Sequence, residues 1–422
     1  MSSYNGLERQ VARLLSRFPA IKQFAKFSYA RLMYLKSKKS YRYKSDLQPI
    51  AIVDAGSKET FFGYYDKSPE NFDGLILAQQ SSRATKLLPS SNNHNIEVSI
   101  FDKNNNLMFK VPTKSYNWQQ GCRAHWLDND EFIFNDFDEN INKYVSRVFS
   151  VSQKSKVKDF HYPVQDSFKK EYFIALNYQR LMTLRPDYGY RNLSNLSQDE
   201  LQNLDNDGLW RVDYMTGEAT PLIMLADLYK INPTPDFEQA VHKVNHVMIS
   251  PSGENFIFMH RYLIGQRRFD RLYLADAQSG EMKLLSDYGM VSHCFWADDK
   301  TVVGYLRGPE GKDGYWLVDI ESGQFTALAH EQLSGYGDGH PHVVGDWFVT
   351  DTYPDKARMQ HLILCNWKTG EVKEIGEFFH SFDYSGETRC DLHPRLSIDG
   401  KTVFFDSVFS GQRQLYKMEI SN

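Results

Sequence analysis

A four-strand motif repeats along this chain, and a fixed repeat constrains a fold more than any local pattern does. Residues 245–285 contain one complete unit, NHVMISPSGENFIFMHR followed by DRLYLADAQSGEMKLL, whose two hairpins turn at Ser-Pro-Ser-Gly and Gln-Ser-Gly-Glu. The glycine of the second turn recurs at Gly217, Gly280, Gly323 and Gly370, at intervals of 63, 43 and 47 residues. Repeats of about 40–50 residues with four strands each predict an all-β propeller.

Seven units can be counted, which predicts a seven-bladed β-propeller over residues 46–422. The units begin near Ile50, Trp118, Glu171, Val241, Val291, Gly337 and Asp391. An insert from Asn192 to Asp207 interrupts the third unit, and its polar composition predicts a loop or short helix. The last unit ends at RQLYKMEI without a fourth strand. We therefore predict that a strand from residues 46–54 closes the last blade.

Residues 1–45 differ from the rest in charge and predict a basic amphipathic helical extension. From Arg9 to Lys44 there are eleven Lys and Arg and no Asp or Glu, so the remainder of this chain of net charge −4 carries −15. Apolar residues recur there at helical spacing, at Leu7, Val11, Leu14, Leu15, Phe18, Ile21, Phe24, Phe27 and Met33. Such a segment either packs on the body or lies on an anionic membrane surface, and an organellar transit peptide has a similar composition. The acidic body argues against nucleic acid as a partner.

The compartment can also be predicted from the sequence. Four scattered cysteines are too few for a disulfide framework, which favours a reducing environment. No apolar run reaches the about 18 residues of a membrane span, and Met1–Gln10 lacks the start of a secretory signal. We predict a cytoplasmic protein, with peripheral contact at the inner face of the plasma membrane if the basic segment docks there.

Histidine recurs at the entrance of the first strand in five of the seven units. The positions are His125, His246, His293, His340 and His393, out of only thirteen histidines in the chain. The first unit has Tyr64 there, and Arg185–Tyr190 is the rough counterpart in the third. Because a first strand lines the channel and begins where the second strand ends, Asp351 and the loop residues Arg389, Asp391 and Arg395 share this rim. A rim dense in imidazole, carboxylate and guanidinium groups predicts a polar ligand site.

The C-terminal half resembles the oligogalacturonate lyase family. The similar segments are HVMISPSGENFIFMHR, SHCFWADD and HPRLSIDGKTVFFDSVFSGQRQLYKMEI, within Val241–Ile420. The resemblance implies a cytoplasmic seven-bladed propeller that cleaves uronate oligosaccharides by β-elimination with a divalent metal. It implies that His293 and His393 are metal ligands and that His246 belongs to the substrate site.

The chain departs from the family at two ligand positions. The family pattern Gln-x-x-His-x-His is here Cys390-Asp391-Leu392-His393-Pro394-Arg395. In one interpretation the metal stays, manganese or zinc, bound by His293 and His393 with Asp391, His340 or Cys390. In the other, Arg395 replaces the metal and binds an anionic group through its planar fork, which is the interpretation that we favour at this stage.

These features together predict a carbohydrate-active enzyme that acts on an acidic sugar in bacterial surface-polysaccharide metabolism. The predicted catalytic residues are His246, His293, His340 and His393. The predicted substrate-binding residues are Arg185, Arg389, Arg395, Tyr64, His125 and Asp351. In a lyase, Arg395 or a metal would neutralise the uronate carboxylate, with His246 as base and His293 as acid.

Two other functions are consistent with the same residues. A glycosyltransferase of capsule or O-antigen synthesis would bind a sugar donor through Arg185, Arg389 and Arg395, with a histidine or Asp351 as base, although no Gly-rich phosphate loop is present. A non-catalytic propeller scaffold that binds glycan or protein would not need so many titratable groups on one rim.

Overall fold

A computed structural model describes residues 19–53, 58–90, 94–231, 233–234, 237–265 and 267–420. Helix α1 (Pro19–Ser37) comes first, followed by two short strands, β1 (Tyr43–Lys44) and β2 (Ile50–Ile52). The apolar positions predicted between Leu7 and Phe18 lie outside the described residues. No helix in these ranges is both long enough and apolar enough to cross a bilayer.

Seven antiparallel sheets follow, and their order confirms the seven-bladed β-propeller. The first three blades are β3–β6 (Glu59–Phe61, Ile76–Ser81, Ile96–Phe101, Leu107–Thr113), β7–β10 (His125–Trp126, Glu131–Asp138, Lys143–Ser150, Ser155–Phe160) and β11–β14 (Val164–Phe168, Tyr172–Leu176, Gly208–Asp213, Ala219–Met224). The next two are β15–β18 (Val241–Ile249, Asn255–Ile264, Arg267–Asp276, Met282–Ser286) and β19–β22 (Val291–Trp296, Thr301–Arg307, Asp313–Asp319, Phe325–Ala327). The sixth contains β23–β26 (His342–Val344, Trp347–Asp351, Met359–Asn366, Val372–Phe379), and the seventh contains β27–β29 (Arg395–Leu396, Thr402–Ser407, Gln414–Glu419).

The two strands before the first blade complete the last two blades. Strand β2 pairs with β29, with Ala51 opposite Tyr416, so the predicted closing strand from residues 46–54 is confirmed. Strand β1 pairs with β26 and gives the sixth blade a fifth strand. The Thr60 hydroxyl then donates to the Ile52 carbonyl at 2.7 Å, which joins the first blade to the last. The ring is therefore closed by residues from both ends of the propeller sequence.

Short helices lie in the connections between strands. They are α2 (Tyr178–Leu184), α3 (Gln198–Gln202), α4 (Leu225–Lys230) and α5 (His330–Leu333), with single 3₁₀ turns at Phe237–Gln239 and Gly386–Thr388. Helix α3 lies in the predicted 192–207 insert and begins with a capping box between Ser197 and Glu200.

The third unit begins earlier than predicted. Its innermost strand is β11, so the start placed near Glu171 falls on the second strand instead. Arg185–Tyr190 is consequently not the start of an inner strand, since it follows α2 in the connection between β12 and β13. That connection starts where β12, the second strand of the blade, ends. It therefore lies at the end of the channel where the sequence predicts the ligand site.

Each blade is apolar on both faces because it packs between two neighbours. Successive strand residues point to opposite faces, and both Val302 and Val303 of β20 are fully buried, as are Phe404 and Phe405 of β28. The inner strands begin at one end of the central channel, which is called the mouth below.

Candidate active site

A backbone kink brings side chains to the mouth, just before the inner strand pairs in the second and seventh blades and at a bulge within the inner strand of the fourth. His246 and His393 have positive φ angles of 52° and 42°, and Arg123 in the second blade has one of 57°. The carbonyl of Leu392 accepts the backbone N–H of Asp406 at 2.8 Å, and the carbonyl of Cys122 accepts that of Asn135 at the same distance. Because His393 follows Leu392 and Arg123 follows Cys122, Arg123 is the structural counterpart of His393. A bulge of this kind re-aims one side chain while the strand after it continues normally.

His125 therefore does not occupy the repeat position assigned to it. It pairs with Ile133 where Arg395 pairs with Phe404, two residues deeper along the inner strand. Its Nδ1 donates to the Arg123 carbonyl at 2.8 Å and its Nε2 lies 2.6 Å from the Ser167 hydroxyl. Both ring nitrogens are used within the fold, which corrects the predicted substrate-binding role.

The other four histidines come together around Tyr64. Along the rim, ring centroids are 5.7 Å apart for His246 and His293, 4.0 Å for His293 and His340, and 4.3 Å for His340 and His393. The Tyr64 ring lies 5.1 Å from that of His393, and its hydroxyl is 2.6 Å from Nδ1 of His246. Four consecutive blades, the fourth to the seventh, thus supply one cluster.

An oxygen acceptor fixes the tautomer of three of these imidazoles. Nδ1 of His340 lies 2.8 Å from Asp351, Nδ1 of His293 lies 3.2 Å from Asp338, and Nδ1 of His393 lies 2.7 Å from the Gly63 carbonyl. Each Nδ1 must donate to its oxygen, so in the neutral ring Nε2 keeps its lone pair. This is the arrangement in which proteins present histidine to a metal ion.

The buried carboxylate of Asp351 holds two histidines of the cluster in place through hydrogen bonds. One of its oxygens also accepts the backbone N–H of His340 at 2.9 Å, and the other accepts that of His393 at 3.0 Å. Because the carboxylate is buried and occupied by these donors, it positions two histidines. The predicted role of Asp351 in contacting substrate is corrected accordingly.

His340, Asp391 and His393 form a group that can hold a metal ion. Their ligand atoms lie within 4.8 Å of one another and all three residues are buried. Nε2 of His393 is buried and has no hydrogen-bond partner among the described residues. Such an atom destabilises the fold unless a ligand such as a metal ion binds it. Two imidazole nitrogens and a carboxylate oxygen suit a divalent ion such as manganese or zinc.

The charges at the group also suit a cation. Burial would raise the pKa of Asp391, but the Arg389 guanidinium, which contacts both carboxylate oxygens at 2.7 and 2.6 Å, holds that pKa well below its usual range. Burial, followed by the charge of His340, lowers the pKa of His293 to about 4 and lowers that of His393 well below the ordinary value. His340 is the exception, because Asp351 raises its pKa above the ordinary value against the effect of burial, so a cation bound there would displace a proton from its ring.

Known structures share this architecture. No protein-family model and no curated protein sequence matches the chain. An oligogalacturonate lyase in complex with manganese superimposes with a TM-score of 0.58 at 13% identity, over 92% of this chain and 98% of that one. The oligogalacturonate lyase of Vibrio parahaemolyticus gives 0.57 at 13% identity, over 91% and 99%. An acylaminoacyl peptidase gives 0.50 at 12% identity, but over only 51% of its own chain.

The chain has the fold of the oligogalacturonate lyases. At these identities the likeness concerns the fold, and the site has to be judged on its own residues.

The two positions that depart from the lyase ligand pattern have structural roles here. Burial raises the pKa of the Cys390 thiol to about 12, and among the described residues this sulfur does not belong to the group that can hold a metal ion. Arg395 is fully buried, donates to the Tyr64 carbonyl at 3.0 Å and pairs with Asp406 at 3.0 Å. Asp406 also accepts the N–H groups of Phe62 and Gly63. Arg395 therefore ties the seventh blade to the first, which corrects its predicted role in binding an anion in place of a metal.

Two partly exposed arginines remain at the mouth. The side chains of Arg185 and Arg389 are 24% and 33% exposed. Arg185 stacks over the Tyr188 ring at 4.4 Å, and Arg389 stacks over the Tyr353 ring at 4.7 Å. Although each also pairs with an aspartate two residues away, an anionic ligand at the mouth would meet these two cations first.

The sequence interpretation missed several residues of the mouth, namely Tyr65, Tyr188, Asp338 and Tyr353. One signal was present, because the aspartates of Asp338-Gly339-His340 and Asp391-Leu392-His393 stand at the same spacing from a histidine. The tyrosines carry no such signal, since they reach the mouth from connections of different length.

Two ion pairs lie between Tyr64 and the other end of the channel. Arg123 donates to both oxygens of Asp66 at 2.9 and 2.6 Å, and Lys67 pairs with Asp166. Beyond this charged layer a cavity of about 200 Å³ opens at the other end of the channel, lined in part by Met248 and Trp296.

Proposed function

We propose that this protein cleaves an acidic sugar by β-elimination with the help of a divalent cation bound by His340, Asp391 and His393. His293 lies beside this group and completes the candidate ligand set. One observation carries the proposal: His293, His340 and His393 each have Nδ1 held by an oxygen, and the buried Nε2 of His393, next to Asp391, has no hydrogen-bond partner among the described residues. Packing alone does not require this orientation.

β-Elimination at a uronate needs charge neutralisation at the carboxylate, a base for the proton on the adjacent carbon, and an acid for the leaving oxygen. When bound, the cation would neutralise the carboxylate and so make the adjacent C–H more acidic. Arg185 and Arg389 would orient the acidic sugar through their partly exposed guanidinium groups.

His246 and Tyr64 are suited to the two proton transfers. Burial, followed by Arg261, lowers the pKa of His246 well below the ordinary value, so the imidazole is neutral and can accept a proton. Burial raises the pKa of Tyr64, so its hydroxyl keeps the proton that it can donate. Nδ1 of His246 donates to the Tyr64 oxygen, which leaves Nε2 as the base. As the sugar C–H breaks, its proton passes to Nε2 of His246, the electron pair forms the C=C bond, and the C–O bond to the leaving group breaks. The leaving oxygen takes the Tyr64 proton, and Nδ1 of His246 then returns a proton to Tyr64. Tyr64 replaces His293 as the acid because His293 is held neutral beside the cation site.

The proposal extends to the biological setting. An enzyme for acidic sugars with a strongly basic N-terminal segment fits bacterial surface-polysaccharide metabolism at the inner face of the plasma membrane.

The test is cleavage of uronate oligosaccharides with added Mn²⁺, followed by the ultraviolet absorbance of the unsaturated product. We expect the absorbance to rise with the wild-type protein and with His361→Gln, a control at a 21% exposed histidine of the sixth blade. His393→Gln should reduce the rate by about 100-fold, the upper range for disturbing a metal site. Sugar transfer from a nucleotide-sugar donor without a rise in absorbance would instead identify a glycosyltransferase, and binding without turnover would identify a scaffold.

A further inference from the structure

One side of helix α1 is anchored to the sixth blade. The Tyr34 ring lies 5.9 Å from the Phe379 ring and 5.5 Å from the Phe382 ring. After the helix, Arg42 stacks over Phe379 at 5.2 Å, and its carbonyl accepts the Phe379 N–H. These contacts fix the orientation of the helix, and so they determine which of its residues face outward.

The outward side of the helix carries large apolar residues. Phe27 is 50% exposed, Leu32 is 53% exposed and Leu35 is 65% exposed. Residues three, four and seven or eight apart share one side of an α-helix, so these three side chains form a continuous surface. Arg31 borders this surface, with its guanidinium 4.6 Å above the Phe27 ring and 5.5 Å above the Phe382 ring of the propeller. We call Phe27, Arg31, Leu32, Leu35 and Lys36 the docking face.

Basic residues lie on and next to the docking face, and no acidic residue lies among them in the sequence. Lys36, Lys38 and Lys39 are exposed, and among the described residues none of them forms an ion pair. They belong to the run of eleven Lys and Arg between Arg9 and Lys44 that contains no Asp or Glu. An apolar face bordered by cations on one helix has the chemistry of a helix that lies in a membrane interface.

We propose that the docking face, with Lys38 and Lys39, binds the surface of an anionic lipid bilayer. The apolar side chains would enter the acyl boundary while the ammonium groups contact lipid phosphates. A nucleic acid would leave three large apolar side chains in water, and a second copy of the chain would bring two strongly basic segments together. Charge complementarity therefore favours lipid over both. The inference does not depend on the reaction proposed above.

The docking face lies at the mouth end of the propeller. Helix α1 packs on Phe382, in the connection from β26 to β27, and this connection also supplies Arg389, Asp391 and His393. A chain docked through α1 would hold its mouth near the membrane surface. The acidic body, with its charge of −15, would not bind that surface by itself.

The test is sedimentation of the full chain with vesicles of phosphatidylcholine containing phosphatidylglycerol, compared with vesicles of phosphatidylcholine alone. We expect binding to the anionic vesicles only, with affinity that falls steeply as salt rises. Leu32→Glu with Leu35→Glu should abolish binding, whereas Met215→Glu, at a 75% exposed methionine of the third blade, should leave it unchanged. Lys38→Glu with Lys39→Glu should weaken binding by about tenfold or more, given what each basic residue contributes near a charged surface.

The charge-matched control is Lys300→Glu with Lys312→Glu, at two exposed lysines of the fifth blade, which should bind as the wild type does. Equal loss of binding in both lysine pairs would overturn the proposal, because net charge rather than the docking face would then control binding. Equal binding to neutral vesicles would overturn it as well. Loss of a dimer in the Leu32→Glu and Leu35→Glu variant, without vesicle binding by the wild type, would show that the face binds a second copy.

Discussion

At the scale of single residues, the hydrogen-bond partner decides what each histidine of the channel can do. His393 and His125 are both buried and both use Nδ1 to donate to a carbonyl. Nε2 of His125 contacts Ser167, whereas that of His393 has no hydrogen-bond partner in the described part of the chain. Only the second can bind a ligand without giving up an existing contact. The sequence predicted both as mouth residues because a two-residue offset within a bulge does not alter the hydrophobic pattern.

Arg395 provides a direct test of that distinction. We expect Arg395→Lys to lower the free energy of unfolding by about 2–4 kcal/mol, because a lysine cannot serve the Tyr64 carbonyl and Asp406 together in a buried site. Chemical denaturation should measure the loss, and affinity for Mn²⁺ should stay unchanged in the folded variant. Arg307→Lys, at a surface ion pair with Asp313, should change stability by less than about 1 kcal/mol. If Arg395→Lys kept its stability but lost uronate binding, Arg395 would belong to the ligand site after all.

Lys243 makes stability depend on pH. Burial, with Arg261 and Arg185 nearby, lowers its pKa from 10.5 to about 7. Between these two values the unfolded chain binds the proton more tightly than the folded one, so this residue makes stability rise with pH there. Below about pH 7 both states are protonated and the buried charge carries its full cost. Lys243→Met should therefore stabilise the protein most in acid, and the gain should shrink towards about pH 10 in denaturation at several pH values. A gain independent of pH would contradict this account.

At the scale of elements, the sequence predicts the apolar inner strands correctly but not the polar one. The predicted starts at Val241 and Val291 coincide with β15 and β19. Strand β11 was missed because its sequence, VQDSF, places Gln165, Asp166 and Ser167 where an inner strand usually has apolar residues. Asp166 accepts the Ile249 N–H from the next blade at 2.7 Å, so polar contacts between blades replace apolar packing there.

The closing strand predicts how the chain tolerates truncation. Removal of residues 1–37 takes away α1 but leaves β1 and β2, so we expect a cooperative thermal transition close to that of the full chain. Removal of residues 1–53 also removes β2 and leaves the edge of β29 unpaired. We expect the second truncation to lose about 3 kcal/mol or more of stability, or to fail to fold. Equal melting temperatures for the two truncations would show that β2 is not needed to close the ring.

At the scale of the whole molecule, the closed ring brings distant residues to one axis. Tyr64 and His246 are 182 residues apart in sequence and their side chains share a hydrogen bond. The repeat was sufficient to predict seven blades and a mouth lined by histidine, because both follow from the period. It could not give the depth of each side chain along the axis, which depends on the local bulge. For that reason the sequence predicts Arg395 beside His393, whereas the Arg395 side chain lies deeper in the channel than the His393 side chain.

The central claim is that His340, Asp391 and His393 bind a divalent cation, and elemental analysis after dialysis against Mn²⁺ tests it most directly. The wild-type protein and the control His361→Gln are predicted to retain a single ion per chain. His393→Gln and Asp391→Asn, both removing a ligand atom of the group, are predicted to retain none while keeping their fold by circular dichroism. No metal in the wild-type protein, or equal metal in all four proteins, would contradict the account.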